Sequence, residues 1–301
     1  MRLAVEWLSK AIEAVAASNR AYIAGAVVVY LVSTFVYALR TFLILRRRGV
    51  NASFRVVYVA YLFNIFMNNI TPSAKAGGEL VRAAYISKQC RVNIASVINV
   101  IAFERATEAL GIVILILVSL MYGIFDAARS EYLLLAAVAV LAGILVVYHS
   151  WDKVLHAVLT RLERRGYLRG AAADVIRFRE FFDDYPLLAL SVGFGVLVWF
   201  LDALRLYLIG RAVGVGIGLV GFIGVSVLYA GIGLLAVTPG GLGIVEGGLT
   251  AVLVALGVAP DDALAITLIE RLVSYGFGTF LGVLGLLAAG GKRAWKALKS
   301  Q

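Results

Sequence analysis

The chain has 301 residues, of which 62% are hydrophobic and only 15% charged, with a mean hydropathy of +0.93. A soluble domain is nearer half apolar and a quarter charged, so composition excludes that class. The net charge of +10 would suit nucleic acid, but the basic residues cluster in short loops between apolar stretches, as membrane topology requires, and nucleic acid is not an expected partner.

Several stretches exceed the roughly 20 apolar residues that cross about 30 Å of hydrocarbon, and none alternates as a transmembrane β-strand does. The expected fold is an all-α polytopic membrane protein, one transmembrane domain over 1–301 with about six to eight spans. Residues 1–20 read as an interfacial amphipathic helix, with Leu3, Val5, Trp7, Leu8, Ile12 and Val15 among charges. The first span covers 21–45, and Arg40 near its inner end can snorkel to the interface. Arg46-Arg47-Arg48 then marks a cytoplasmic loop. An apolar helix over 54–70 is interrupted at Thr71-Pro72, and a short amphipathic helix runs to about Ile86 before Lys88 and Arg91. Spans at 92–125 and 131–148 lead into a polar, amphipathic cytoplasmic loop, 151–185, that carries seven basic residues from Lys153 to Arg179. Spans at 186–209 and 219–237 follow, the second broken at Thr238-Pro239. A Gly-rich helical segment, 240–256, leads to the last span, 263–289, and to the basic tail Lys292, Arg293, Lys296 and Lys299.

Two of the four prolines head matching blocks. Thr71-Pro72, six residues, Glu79 and later Glu104-Arg105 correspond to Thr238-Pro239, six residues, Glu246 and later Glu270-Arg271. The carboxylate precedes the Glu-Arg pair by 25 residues in one block and 24 in the other. Chance explains this poorly; duplication of a membrane unit around a site explains it well. Repeat 1 spans 54–111 and repeat 2 spans 217–278. With all basic edges placed inside, segment 54–88 starts and ends in the cytoplasm while 211–260 starts and ends outside, so the repeats are inverted. Each contains a Pro-broken helix pair, and parity allows either a re-entrant hairpin or two short full spans.

Thr before Pro is a helix-start signal, and a helix that begins inside the membrane turns free N–H groups and its positive end toward an anion; a proline kink without a ligand is the alternative. Glu79 and Arg82 share a helical face, one turn after Lys75. Adjacent Glu and Arg point about 100° apart on a helix, so Arg105 is expected to pair with Glu79 and Arg271 with Glu246. Glu108 adds a further intramembrane charge, and Asp202 with Arg205 reads as a structural i,i+3 pair. Gly278 with Gly282, and Gly243 with Gly247, fit close helix packing. Cys90 cannot form an intrachain disulfide, and His149 and His156 lack metal-ligand neighbours; no metal and no cofactor is expected. There is no G-x-S-x-G, Walker or Rossmann motif, so the chain is not expected to be an enzyme.

Asn68-Asn69-Ile70-Thr71-Pro72 with Gly78-Glu79 and Arg82, Glu104-Arg105, Thr238-Pro239-Gly240-Gly241-Leu242-Gly243 with Glu246, and Glu270-Arg271 together resemble the lysylphosphatidylglycerol synthase transmembrane family. That family includes the flippase half of bacterial multiple peptide resistance factors and archaeal flippase-like proteins. The first block departs from the family's usual Pro-x-x-x-Gly-Glu spacing. The resemblance implies a flippase in the cell membrane for a lipid with a charged headgroup, an aminoacyl-phospholipid or a polyprenyl-phosphate lipid. The chain ends without room for the soluble aminoacyl-transferase domain, so synthase activity is not expected. Candidate headgroup residues are Thr71, Pro72, Lys75, Glu79, Arg82, Glu104, Arg105 and Glu108 in a cavity facing the cytoplasm, with Thr238, Pro239, Glu246, Glu270 and Arg271 in its outward counterpart. The expected partners are membrane lipids with phosphate headgroups, with self-association left open. A proton-coupled transporter of a small anion, and a membrane-embedded lipid or glycosyl transferase, are the competing functions.

Overall fold

A computed structural model describes residues 2–72, 76–121, 127–164, 175–235 and 237–289. Helices make up the described fold: α1 (Arg2–Ala17), α2 (Arg20–Arg47), α3 (Phe54–Ile70), α4 (Ala76–Cys90), α5 (Ile94–Met121), α6 (Ala127–Arg164), α7 (Glu180–Asp183), α8 (Tyr185–Val213), α9 (Leu219–Leu235), α10 (Ile244–Ala255), α11 (Pro260–Arg271) and α12 (Gly278–Ala288). A 3₁₀ turn, Pro239–Gly241, stands between α9 and α10, and a π-helical stretch, Leu272–Phe277, joins α11 to α12. Among the described residues no strand occurs, and the protein is an all-α polytopic membrane protein.

Local sequence sets the helix ends. The Asn19 side chain accepts from the Ala21 N–H at the start of α2, and Asp184 accepts from Leu187 N–H ahead of Pro186 in α8. Gly214, at φ 96°, closes α8 in the left-handed conformation that costs glycine least. The Thr-Pro steps also end what precedes them, and the three residues after Pro72 lie outside the described residues. A residue before proline is driven to extended backbone, and Thr71 accordingly sits at φ −106°, ψ 137° as the residue that ends α3, its hydroxyl donating to Met67 O at 2.6 Å. Thr238 is likewise extended and opens only the three-residue 3₁₀ turn. Its hydroxyl turns to Leu242 O at 2.9 Å.

The 38 residues of α6 correct the expected boundary near 148. No Gly or Pro lies between Gly143 and Gly166, and polar residues alone do not stop a helix, so the helix runs through the first part of the supposed loop. At about 1.5 Å per residue it is far longer than the hydrocarbon is thick. Its apolar window lies uncovered by the rest of the molecule, while Trp151 and Leu159 further along pack against the start of α5 and residues 175–178.

α2 lies along α8, α3 packs on α4 and α12, α5 on α8, α10 between α9 and α11, and α1 along α11. A belt of apolar side chains remains exposed on α2 (Val28, Phe35), α6 (Leu135, Val146) and α12 (Phe280, Leu287), as hydrocarbon contact requires. At the end carrying the basic residues, Arg47 Nε donates to Asp184 at 3.0 Å and Arg179 Nη2 to His149 O at 3.1 Å. Residues 46–48 and this part of 151–185 thus occupy one end. The Arg47 hydrogen bond, helped by the Leu187 N–H, holds the Asp184 carboxyl below the usual carboxylate range.

Of the two small-residue pairs, Gly278 and Gly282 carry close packing: a Cβ on Gly282 would stand 2.6 Å from Phe66 Cβ. Gly243 and Gly247 have open space instead; Gly243 serves its positive φ of 85° at the start of α10. A close backbone approach joins α5 to α8, where a Cβ on Gly195 would lie 2.8 Å from Thr107 O. Since backbone cannot yield as a side-chain tip does, Gly195→Val should destabilise the fold by about 1–3 kcal/mol. Denaturant titration in mixed micelles measures it; an unchanged midpoint would show that the two helices can separate freely.

Candidate functional site

Two charge clusters lie inside the helical bundle. The first alternates in sign from α2 through α5 and α4. Arg40 Nη1 donates to Glu108 Oε1 at 2.7 Å, and Glu108 Oε2 receives Arg105 Nη1 at 2.5 Å. Arg105 Nη2 meets Glu79 Oε1 at 2.8 Å, Glu79 meets Arg82 Nε at 3.0 Å, and Arg82 Nη2 donates to Glu104 Oε2 at 2.5 Å. Thr41 closes the sequence with its hydroxyl on Glu104 Oε1 at 2.5 Å. Three guanidinium groups thus balance three carboxylates. Arg40 and Arg82 are each 1% exposed, which such a group tolerates only when paired and fully hydrogen-bonded. Arg40 meets that condition, since it also bonds Glu104 O at 2.6 Å, Ser191 Oγ at 3.2 Å and Thr107 Oγ1. The expectation that Arg40 snorkels is therefore overturned. Its partners on α5 and α8 hold it inward.

The second cluster joins α8, α9, α10 and α11. Arg205 grips Glu270 with two parallel bonds of 3.0 Å and binds Asp202 at 2.7 Å. Tyr229 donates to Glu270 at 3.2 Å, and the Arg205 guanidinium lies 5.5 Å from the Tyr30 ring centroid. Arg271 Nε meets Glu246 Oε1 at 2.7 Å, while its Nη2 donates to Gly240 O at 2.7 Å. The other oxygen of Glu246 accepts the Gly243 N–H at 2.7 Å, so the carboxylate caps the start of α10 that a ligand was expected to face. Here three carboxylates meet two arginines.

The pairs expected from spacing are formed in both blocks, Arg105 with Glu79 and Arg271 with Glu246. The inner glutamates take arginines from elsewhere: Glu104 takes Arg82, and Glu270 takes Arg205 across helices. Lys75 lies outside the described residues, as does the basic tail.

A cavity of about 210 Å³ opens where the two broken helix pairs meet. Its wall brings together Thr71 and Thr238 with Asp202, Arg205, Glu270 and Arg271. The α3 tip is fixed there: Asn69 Nδ2 donates to Thr279 Oγ1 at 2.8 Å, and Tyr275 hydroxyl to Asn69 O at 3.4 Å. Gly240, at φ 58°, passes so near Tyr275 that an added Cβ would stand 2.3 Å from its ring. Trp199 also lines the cavity, and its buried Nε1 has no hydrogen-bond partner among the described residues. The cavity wall does not include Glu79, Arg82, Glu104, Arg105 or Glu108, which belong to the balanced first cluster; Pro72, Pro239 and Glu246 stand beside it without lining it. Asp202 and Arg205, expected to be only a structural pair, face the cavity as well as holding Glu270. Tyr37, Asn68, Asn69, Trp199, Tyr229 and Tyr275 were not legible as site residues. The α2 sequence does contain a signal: Tyr30, Thr34, Tyr37 and Thr41 recur at helical spacing and mark one polar face beside Arg40.

The arrangement can hold a charged, hydrogen-bonding group within an apolar shell. The family model for the lysylphosphatidylglycerol synthase transmembrane region matches residues 3–282. Among curated proteins, a UPF0104 membrane protein of Methanothermobacter thermautotrophicus is 27% identical over 296 residues, covering 91% of this chain and 87% of that protein. Similar UPF0104 membrane proteins occur in Pyrococcus horikoshii, 26% identical with 87% and 85% covered, and in Methanocaldococcus jannaschii, 24% identical with 93% and 88% covered. The match runs through both Thr-Pro blocks and both clusters, and the chain belongs to the lysylphosphatidylglycerol synthase transmembrane family.

Proposed function

We propose that the protein is a lipid translocase of the cell membrane, without enzymatic activity, that moves a lipid with a charged, phosphate-bearing headgroup between leaflets. The observation that carries this reading is the cavity at the junction of the two broken helix pairs, charged inside and surrounded by helices whose outer faces are apolar. Moving a charge through hydrocarbon unaided is costly, and intramembrane ionisable groups mark such pathways. Arg205 and Arg271 supply the cationic contacts, Trp199 Nε1 a free donor, and Thr71 and Thr238 the hydroxyl-bearing tips. The two blocks act as inverted repeats, with the ends at 46–48 and 151–185 and the C-terminus in the cytoplasm. The first cluster, balanced in charge and buried except at Arg105 and Glu79, serves as the fixed frame against which the second works.

Purified protein in vesicles should move fluorescent phosphatidylglycerol or a polyprenyl-phosphate lipid, read by dithionite quenching. Arg271→Ala should cut that rate at least tenfold while leaving the elution profile unchanged. Transport of a soluble anion by protein that moves no lipid, lost in the same variant, would establish the small-anion transporter instead.

A further inference from the structure

The polar cavity has an apolar neighbour. Between α1 and the α11–π-helix segment runs a groove of about 340 Å³. Ile12 and Val15 form one wall, and Leu268, Leu272 and Gly276 the other. Arg271 and Tyr275 complete its lining, and the same two residues line the polar cavity. One guanidinium, 4.8 Å from one phenol ring centroid, therefore borders both spaces.

The groove exists for identifiable reasons. Positions 268, 272 and 276 recur every fourth residue and so share a face of the helix. Gly276 leaves that face open, because a Cβ there would find nothing closer than 3.9 Å. On the opposite wall, Ala11 buries its small side chain while Ile12 beside it stays 56% exposed. Leu272 is 64% exposed. Apart from Arg271 and Tyr275, the lining side chains offer no donor, acceptor or charge.

We infer that this groove seats one hydrocarbon chain of the lipid whose headgroup enters the polar cavity, with the phosphate at the Arg271 boundary and α1 as a wall of the lateral exit. The inference rests on the lipid reading above. A soluble anion would use the cavity and gain nothing from the groove. A phosphate ester joined to an alkyl chain matches both spaces, since its polarity changes at the point where the wall does.

The test uses the full chain in vesicles of phosphatidylglycerol carrying a photoreactive diazirine on one acyl chain, with cross-links mapped by mass spectrometry. Peptides containing Ile12, Val15, Leu268 or Leu272 should be labelled at least fivefold more than the outward face of α6, where Leu135 and Val146 report bulk lipid. Leu272→Trp, which fills the groove from an exposed position, should remove that excess and leave α6 labelling unchanged; Gly276→Leu provides a second filling variant if the first elutes abnormally. Equal labelling of groove and α6, or an excess that survives both fillings, overturns the tail site. Groove labelling without any lipid transport would retain the tail site and end the translocase reading. Transport without groove labelling would do the reverse.

Discussion

Arg40→Met should destabilise the protein by about 3–5 kcal/mol, the cost of leaving a buried charge without its partner. The guanidinium serves four groups at once: Glu108, the Glu104 carbonyl, Ser191 and Thr107. Removing it strands a Glu108 carboxylate that is 4% exposed, and only one of its oxygens retains a cation, Arg105. Changing Glu108 to Met as well removes the stranded charge, and Arg105 still has Glu79 at 2.8 Å. The double variant should therefore be more stable than Arg40→Met alone, although the carbonyl and the two hydroxyls still lose a donor. Denaturant titration in mixed micelles reads both. A single variant within 1 kcal/mol of wild type would mean that Arg40 reaches water, as an interfacial arginine does.

That outcome bears on how much of the molecule the sequence discloses. Helices and their breaks were legible because apolar length, caps and proline act locally. Phe54–Ile70 ends where Pro72 forces its neighbour out of helical backbone. The end of α6 is not legible in composition, because polar residues alone do not stop a helix that meets no Gly or Pro. The pairs Arg105–Glu79 and Arg271–Glu246 could be expected because the same spacing occurs twice. Arg40 could not be placed by depth alone. Its position, six residues before Arg46, fits a snorkelling side chain and a buried one equally, and the choice depends on α5 and α8 arriving beside α2. Glu270 is similar, since its arginine comes from α8, 65 residues earlier in the chain. Spacing within a repeat cannot reveal a partner that lies outside the repeat. The cavity follows the same rule: Thr71 and Thr238 were visible as motifs, but their sharing one wall is a product of α3 packing against the 3₁₀ turn.

Glu246→Gln should strengthen binding of a phosphate-bearing lipid while slowing its translocation. Arg271 is held by Glu246 at 2.7 Å and by the Gly240 carbonyl, so an incoming phosphate must compete with a carboxylate for the same guanidinium. The pair is partly exposed, with side chains 13% and 24% accessible, and such a pair contributes about 1 kcal/mol at most. Removing the competitor should therefore tighten lipid binding about fivefold. Gln keeps an oxygen for the Gly243 N–H that Glu246 now caps, so α10 should retain its start. Tighter holding of the bound state deepens a well that the headgroup must leave, and transport slows by a similar factor. Glu246→Ala removes the cap as well and should add about 1 kcal/mol of instability. Titration of vesicle-reconstituted protein with phosphatidylglycerol, alongside the quenching assay, separates the two effects. Weaker binding in Glu246→Gln would show that the carboxylate recognises the headgroup itself, through a cationic group on the lipid, and that Arg271 is there to hold Glu246 in place.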